Sequence, residues 1–494
     1  MLSQLDSYAG PSQLATPVFT KAQLVDVPSQ PVDTQDDCYL ARIPLEILLR
    51  ITQSVPTTDL GNLRLSCKVF ERALFSFFSH EFFRKKQFMV FPTSLQALID
   101  ISKHKKLSLC LRHVIIATDR YLDHDSSGYL GGRRNWEQEQ ERQKRIACAG
   151  HESLMSTGLL RDMLVEAFSN LPNLETVDIR DFNAGSRNRD GLGTCWTSYG
   201  ATSLVRLTGE FMNHNRVMNH NRATSDPYPS QLFSAIIASL ATANARPPNI
   251  EVVLRDRGWG LFENAFYIPP RIESSVLPVL ASLTKLHIVF AQEGASPNTS
   301  PFLLKRFLSL TPNLTWFRLN VHGNGSSIWK RQTELLLTWL GLGETDPPLI
   351  DNDITPIRLQ FLEQLDLGLV EMEPPVLLKL VLKFSSSLRR LSLRSVSMVD
   401  KKNDPKLNVN IWARIFQTLS KKAGLNLQSL DLANLQFVTQ DDVVSVPLRI
   451  GGPVEFIDGQ TKESRRSQTY TSQFSMMLLE RAAAETTPMW PVCT

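Results

Sequence analysis

One short pattern recurs through most of this 494-residue chain: a leucine, two further residues, an apolar residue, one more residue, and a second apolar residue. It reads Leu111-Val114-Ile116, Leu174-Val177-Ile179, Leu283-Leu286-Ile288, Leu314-Phe317-Leu319, Leu362-Leu365-Leu367, Leu388-Leu391-Leu393 and Leu427-Leu430-Leu432, with a weaker member at Ile250-Val253. Alternation of period two is the signature of a strand with one buried face. Stretches of helical period precede most members, for example LLRDMLVEAFSNL before Leu174 and PFLLKRFLSL before Leu314. Helix, then short strand, repeated in series, points to the α/β class.

This layout resembles a leucine-rich-repeat-like β/α solenoid. The middle positions 114, 177, 253, 286, 317, 365, 391 and 430 are separated by 63, 76, 33, 31, 48, 26 and 39 residues. Regular repeats of this kind run about 20–29 residues, so the array is irregular. The asparagine that usually follows the strand is not in register. The two longest gaps call for insertions near 119–153, a charged loop with one exposed helical stretch, and 183–228, which contains the duplicated hexad MNHNRV/MNHNR at 212–222. An ordinary α/β domain with leucine-rich strands is the plainer alternative. Under either reading, residues between the apolar positions face outward. The candidate target-binding row is Asp178, Arg180, His287, Trp316, Arg318, Asp366, Ser392, Arg394 and Asp431, with Lys285, Gln364 and Arg390 beside them. Its mixed sign and single aromatic suit a protein partner better than a polyanion.

The N-terminal part follows another grammar. Residues 1–37 are rich in Ser, Gln, Pro and Asp and are expected to be disordered. From Cys38 the spacing predicts three short helices. Pro44 suits a first helical turn, and Ile43, Ile47, Leu48 and Ile51 share a face. Pro56 ends that helix, and Thr57, Thr58 and Asp59 offer caps to the next, which carries Leu60 and Leu63. Cys67, Phe70, Leu74, Phe77 and Phe78 mark a third, ending at the basic Arg84-Lys85-Lys86. The strings IPLEILLRI and DLGNLRLSCK resemble an F-box, with Ile43 where the family opens on Leu and Phe70 where it often has Trp. The resemblance covers about 45 residues, enough for only a small core that must lean on something else.

The resemblance implies the substrate-recognition subunit of an SCF-type cullin–RING ubiquitin ligase. The F-box would dock on the Skp adaptor, and through it a cullin, while the repeat domain holds a target protein. The expected adaptor-binding residues are Pro44, Leu45, Glu46, Ile47, Leu48, Ile51, Leu60, Leu63, Arg64 and Cys67, with Leu60, Leu63 and Cys67 shared between contact and core and Glu46 and Arg64 at the rim. A scaffold with no role in ubiquitination is the alternative. The expected organisation is a lead at 1–37, the helical module at 38–86, the repeat region at 87–440 and a mostly disordered tail at 441–494 that ends in a short helix over SMMLLERAAAE.

The remaining features narrow the function classes. Lys and Arg number 53 against 49 Asp and Glu, too even a balance for a nucleic-acid footprint. No apolar run reaches the ~18 residues of a membrane span, and no basic-then-apolar leader is visible. Six scattered cysteines fit a reducing compartment, cytoplasmic or nuclear, rather than a disulfide framework. His80-Glu81 lacks a second histidine, Gly191-Leu192-Gly193 lacks a third glycine, and His214 and His220 lie six apart, outside metal-clip spacing. No enzyme, cofactor or metal site is expected.

Overall fold

Three helices open the part of the chain that the computed structural model describes: residues 43–120, 135–183, 188–191, 196–209, 226–255, 260–291, 301–322, 327–343, 354–399, 411–438, 443–445 and 467–486. The expected lead at 1–37 and the duplicated hexad at 212–222 lie outside them. Helices α1 (Leu45–Gln53), α2 (Thr57–Ser66) and α3 (Lys68–Phe83) pack around Leu48, Leu60, Phe70, Leu74 and Phe82. Two details differ from expectation. The basic end of α3 is shorter than expected, because Lys85 and Lys86 already belong to the first strand. The expected caps Thr57 to Asp59 lie inside α2, after Pro56 at its N-cap, so the first turn has no cap of its own.

The strands follow: β1 (Lys85–Met89), β2 (His113–Ala117), β3 (Thr176–Arg180), β4 (Asn249–Val253), β5 (Lys285–Ala291), β6 (Trp316–His322), β7 (Gln364–Gly368), β8 (Glu371–Met372), β9 (Arg390–Arg394), β10 (Ser397–Val399), β11 (Ser429–Ala433), β12 (Gln436–Val438), β13 (Val443–Ser445) and β14 (Ser467–Thr471). The molecule is mixed α/β, with a ten-stranded, mostly parallel sheet in the order β1-β2-β3-β4-β5-β6-β7-β9-β11-β14. Each new strand is laid beside the previous one without reversal. Among the described strands of this sheet only β14 runs antiparallel, against β11. A four-stranded sheet, β13-β12-β10-β8, runs alongside.

The twelve later helices among the described residues are α4 (Pro92–Lys103), α5 (Leu107–Cys110), α6 (Asn135–Ser156), α7 (Leu159–Phe168), α8 (Ala201–Thr208), α9 (Tyr228–Thr242), α10 (Pro270–Ala281), α11 (Phe302–Ser309), α12 (Ser327–Gly341), α13 (Pro374–Lys383), α14 (Ile411–Ser420) and α15 (Ser475–Glu485). The second and fourth residue of each strand face the helices. Val177, Leu286, Phe317, Leu365, Leu391 and Leu430 join one continuous core with Leu164, Ile236, Val276 and Phe416 of the helices. At β4 the register places Ile250 and Val252 inward, opposite Val177 and Ile179. The expected middle position at Val253 is therefore corrected to Ile250, three residues earlier, and a shift by an odd number of residues turns every side chain over.

Among the described residues the long gaps hold helices: α6 and α7 between β2 and β3, α8 and α9 between β3 and β4. The stretch expected to be an exposed helix is α6, which buries Ala147 and Leu154. In the tail, the short helix expected over SMMLLERAAAE is α15, and an unexpected strand, β14, precedes it. There β14 pairs with β11, Tyr470 is buried, and α15, the SMMLLERAAAE stretch, packs on α14. The last parallel strand would otherwise present an unpaired edge.

The strand ends share one turn. Leu369, Ser395 and Asn434 each follow a strand (β7, β9, β11) by one residue and take positive φ of 58°, 52° and 50°. Each chain then enters a strand of the small sheet two residues later. The N–H of Leu369 donates to the carbonyl of Arg394, and that of Ser395 to Ala433. A left-handed residue is costly outside glycine and asparagine. Its recurrence at one position marks a structural unit repeated in space.

Candidate functional site

Two surfaces carry the residues singled out from the sequence. On α1, Pro44, Leu45, Glu46, Ile47 and Ile51 are exposed. Ile47 and Ile51 lie one turn apart, beside the buried Leu48–Thr52 line. Leu48 departs from the expected contact set: it is buried in the module's own core under α3, together with Leu60, whose expected place was shared between contact and core. Leu63, Arg64 and Cys67 are half-buried. The Cys67 thiol accepts from the N–H of Phe70 at 3.4 Å and caps α3. Arg64 is no free rim charge either. Its guanidinium lies 3.6 Å from the Phe78 ring centroid, and burial lowers its pKa against the opposing pull of Glu71. Two exposed apolar side chains at the α2–α3 junction escaped the sequence reading: Leu65, at 79% exposure, and Val69. The signal was present, since Leu60, Leu63 and Leu65 cannot all share one face of a helix.

The module is tied to the sheet by the 183–228 insertion. Asp190 accepts from the N–H of Thr57 at 2.9 Å and from its hydroxyl at 2.8 Å, supplying the cap that α2 lacks. Arg189 donates to the carbonyls of Thr52 and Val55 at the end of α1, at 3.0 and 3.3 Å. Its guanidinium also lies near Glu81 and over Phe77. Trp196 packs on Phe82. Helix ends need partners for four orphan groups each, and here both come from more than 130 residues away.

The second surface is the face of the ten-stranded sheet formed by the first and third residue of each strand, with the fifth at β3 and β9; the fifth residues of β1 and β5, Met89 and Val289, are instead buried in apolar clusters that include helix residues. All nine predicted target residues lie on it, but they are not a solvated row. Asp178, His287, Asp366 and Ser392 are buried, Arg180, Trp316, Arg318 and Asp431 half-buried, and Arg394 exposed. Bonding between neighbouring strands explains the difference. Asp178 takes His113 at 3.1 Å and Arg180 at 2.5 Å. Asp366 takes the Trp316 indole N–H at 3.0 Å and two guanidinium nitrogens of Arg318 at 2.9 and 2.6 Å. Gln364 donates to its other oxygen. Asp431 gathers Ser392, Arg394 and Thr469. Glu251, missed because β4 was read three residues out of register, pairs with Lys285 at 2.8 Å.

Electrostatics follow from this layering. Burial pushes the Asp178 carboxyl up, against the pull of His113 and Arg180. Burial would raise Glu251 too, but the Lys285 hydrogen bond and charge outweigh it and the net direction is down. His287 is held at about 3 by burial and by Arg318 and Lys285, so it is neutral at pH 7. It stands edge-on to Trp316, centroids 4.7 Å apart, with both ring nitrogens lacking a hydrogen-bond partner among the described residues. The Lys285 ammonium lies 3.9 Å from the Trp316 ring centroid. Fixed cations, an indole and a neutral imidazole make a surface for non-covalent binding.

Among the described residues no group of three His, Cys, Asp or Glu is placed to hold a metal, and no helix is long and apolar enough to cross a membrane. Cys67, Cys110 and Cys148 form no disulfide with one another. No protein-family model matches the chain, and no curated protein matches it significantly.

Proposed function

We propose that the chain is the substrate-recognition subunit of an SCF-type ubiquitin ligase. Residues 43–83 would act as an F-box on a Skp adaptor, and the repeated strand–helix units would form a leucine-rich-repeat-like solenoid that holds a target protein. The observation that carries this reading is the uncovered apolar set of the module: Leu45, Ile47, Ile51, Leu65 and Val69 stand in solvent beside a core of five buried side chains. Exposed apolar groups gathered on so small a module mark a partner surface. Supporting the solenoid are the unreversed strand order and the left-handed turn recurring after β7, β9 and β11. Such a receptor does no covalent chemistry; it raises the effective concentration of target lysines near a charged conjugating enzyme.

The test is co-purification of the tagged chain with a Skp adaptor and a cullin, with and without Leu45→Asp/Ile47→Asp. Both residues are exposed, so the charges leave the fold intact but place unpaired carboxylates in the contact. Adaptor binding falls by at least about 100-fold, since burying such a charge costs several kcal/mol. Equal adaptor recovery with the double variant overturns the reading.

A further inference from the structure

The sheet face carries six cations on its described strands, Lys85, Arg180, Lys285, Arg318, Arg390 and Arg394, against four carboxylates, Asp178, Glu251, Asp366 and Asp431. The two signs lie at different depths. In the pair between β6 and β7, Arg318 keeps 35% of its side chain exposed and Asp366 only 5%. In the pair between β9 and β11 the values are 60% for Arg394 and 23% for Asp431. Arg180 over Asp178 and Lys285 over Glu251 follow the same order. The acids form a floor that orients the bases, and the bases form the outer layer. Arg390 adds an exposed guanidinium with no ion pair among the described residues.

We infer that this face takes an extended, carboxylate-rich segment of a target protein laid across the strands. The inference rests on the reading of the face as the target-binding surface and narrows its partner. From β1 to β9 the face spans seven strand spacings, roughly 33 Å, which an extended peptide covers with about ten residues. The cations are spread over β1, β3, β5, β6 and β9, and most are already tied on one side to a floor carboxylate. Single negative charges repeated along a peptide match that spacing. A phosphate group, which draws its affinity from several donors converging on one point, finds four of the six bases already partly engaged. Trp316, held by its bond to Asp366 and flanked by Lys285, offers a rigid flat surface in the middle of the path.

The experiment measures binding of a labelled glutamate homopeptide of about ten residues to the full chain by fluorescence anisotropy. A glutamine homopeptide and a peptide with one phosphoserine in a neutral background serve as comparisons. The glutamate peptide is expected to bind, more weakly as salt is raised, and the glutamine peptide not to bind. Arg390→Glu, at an exposed and unpaired position, weakens the glutamate peptide about fivefold, and adding Arg318→Gln and Arg394→Gln weakens it about 50-fold. Lys421→Glu/Lys422→Glu, away from the face, leaves it unchanged. Equal binding of the glutamate and glutamine peptides, equal loss with the control pair, or tighter binding of the phosphoserine peptide overturns the inference. The assay needs no adaptor. Peptide binding without adaptor recovery therefore keeps this inference and removes the ligase reading, and the reverse result keeps the docking module and removes the acidic partner.

Discussion

The helical module and the sheet solve the same problem at different scales. Each must bury apolar side chains and satisfy its backbone ends. The sheet does both from within: every added strand–helix unit extends one core, and the turns after β7 and β9 donate to the carbonyl of the next strand. The module does neither alone. Five buried side chains are its core, and the loop between α1 and α2 is held by Arg189 and Asp190 from the insertion between β3 and β4. A sheet extended strand by strand is self-sufficient because each strand and its helix are their neighbour's partner. A small module has too much surface for its volume and borrows what it lacks.

The strongest way to break the comparison is to cut the shared core. Phe317→Ala, at a fully buried position in the middle of the sheet, should cost about 3–5 kcal/mol, read as a lower midpoint in denaturant for the whole array. A loss confined to β6 would show that the units do not share one core.

A second test uses acid. His287 titrates at about 3 in the folded chain against about 6.5 when unfolded. Below the unfolded value the unfolded state binds the extra proton, so stability is full above about pH 6.5 and falls as pH drops towards 3. Between pH 7 and 5 this one group removes about 2 kcal/mol. His287→Leu, which replaces an imidazole without hydrogen-bond partners, should abolish that loss and be at least as stable at pH 7. The difference between variant and wild type isolates the imidazole from Asp178, whose raised carboxyl works with the opposite sign. Parallel pH profiles for the two proteins would contradict the buried neutral histidine.

The third test sharpens the module's dependence. Asp190→Ala leaves the Thr57 N–H and hydroxyl without their acceptor and should cost about 1–2 kcal/mol. Amide hydrogen exchange in the first turn of α2 should quicken while the strands stay protected. If the strands loosen equally, module and sheet unfold as one unit and the borrowed cap is not the weak joint.

What was legible in the sequence was whatever local periodicity controls. Alternation at Val114, Val177, Leu286, Phe317, Leu365, Leu391 and Leu430 determined which side of each strand is buried, because side chains alternate faces along a strand. The pattern failed at β1, where Lys86 holds an inward register position next to a basic helix end, and at β4, where adjacent valines left the register open. Helical spacing likewise placed Leu45, Ile47 and Ile51 on α1, but not the fate of Leu48, which depends on where α3 crosses. The polar face was named residue by residue, yet its depth was not: Asp178, His287 and Asp366 are buried by groups on neighbouring strands up to 65 positions away. The polar SQTYT segment became a strand because β11 offered it an unpaired edge. By itself, then, the sequence determined the elements and their buried sides, which follow from neighbours three or four residues away at most. The tertiary structure decided the caps, the closing strand and the layering of charge, because those partners meet only when distant parts of the chain are folded against one another.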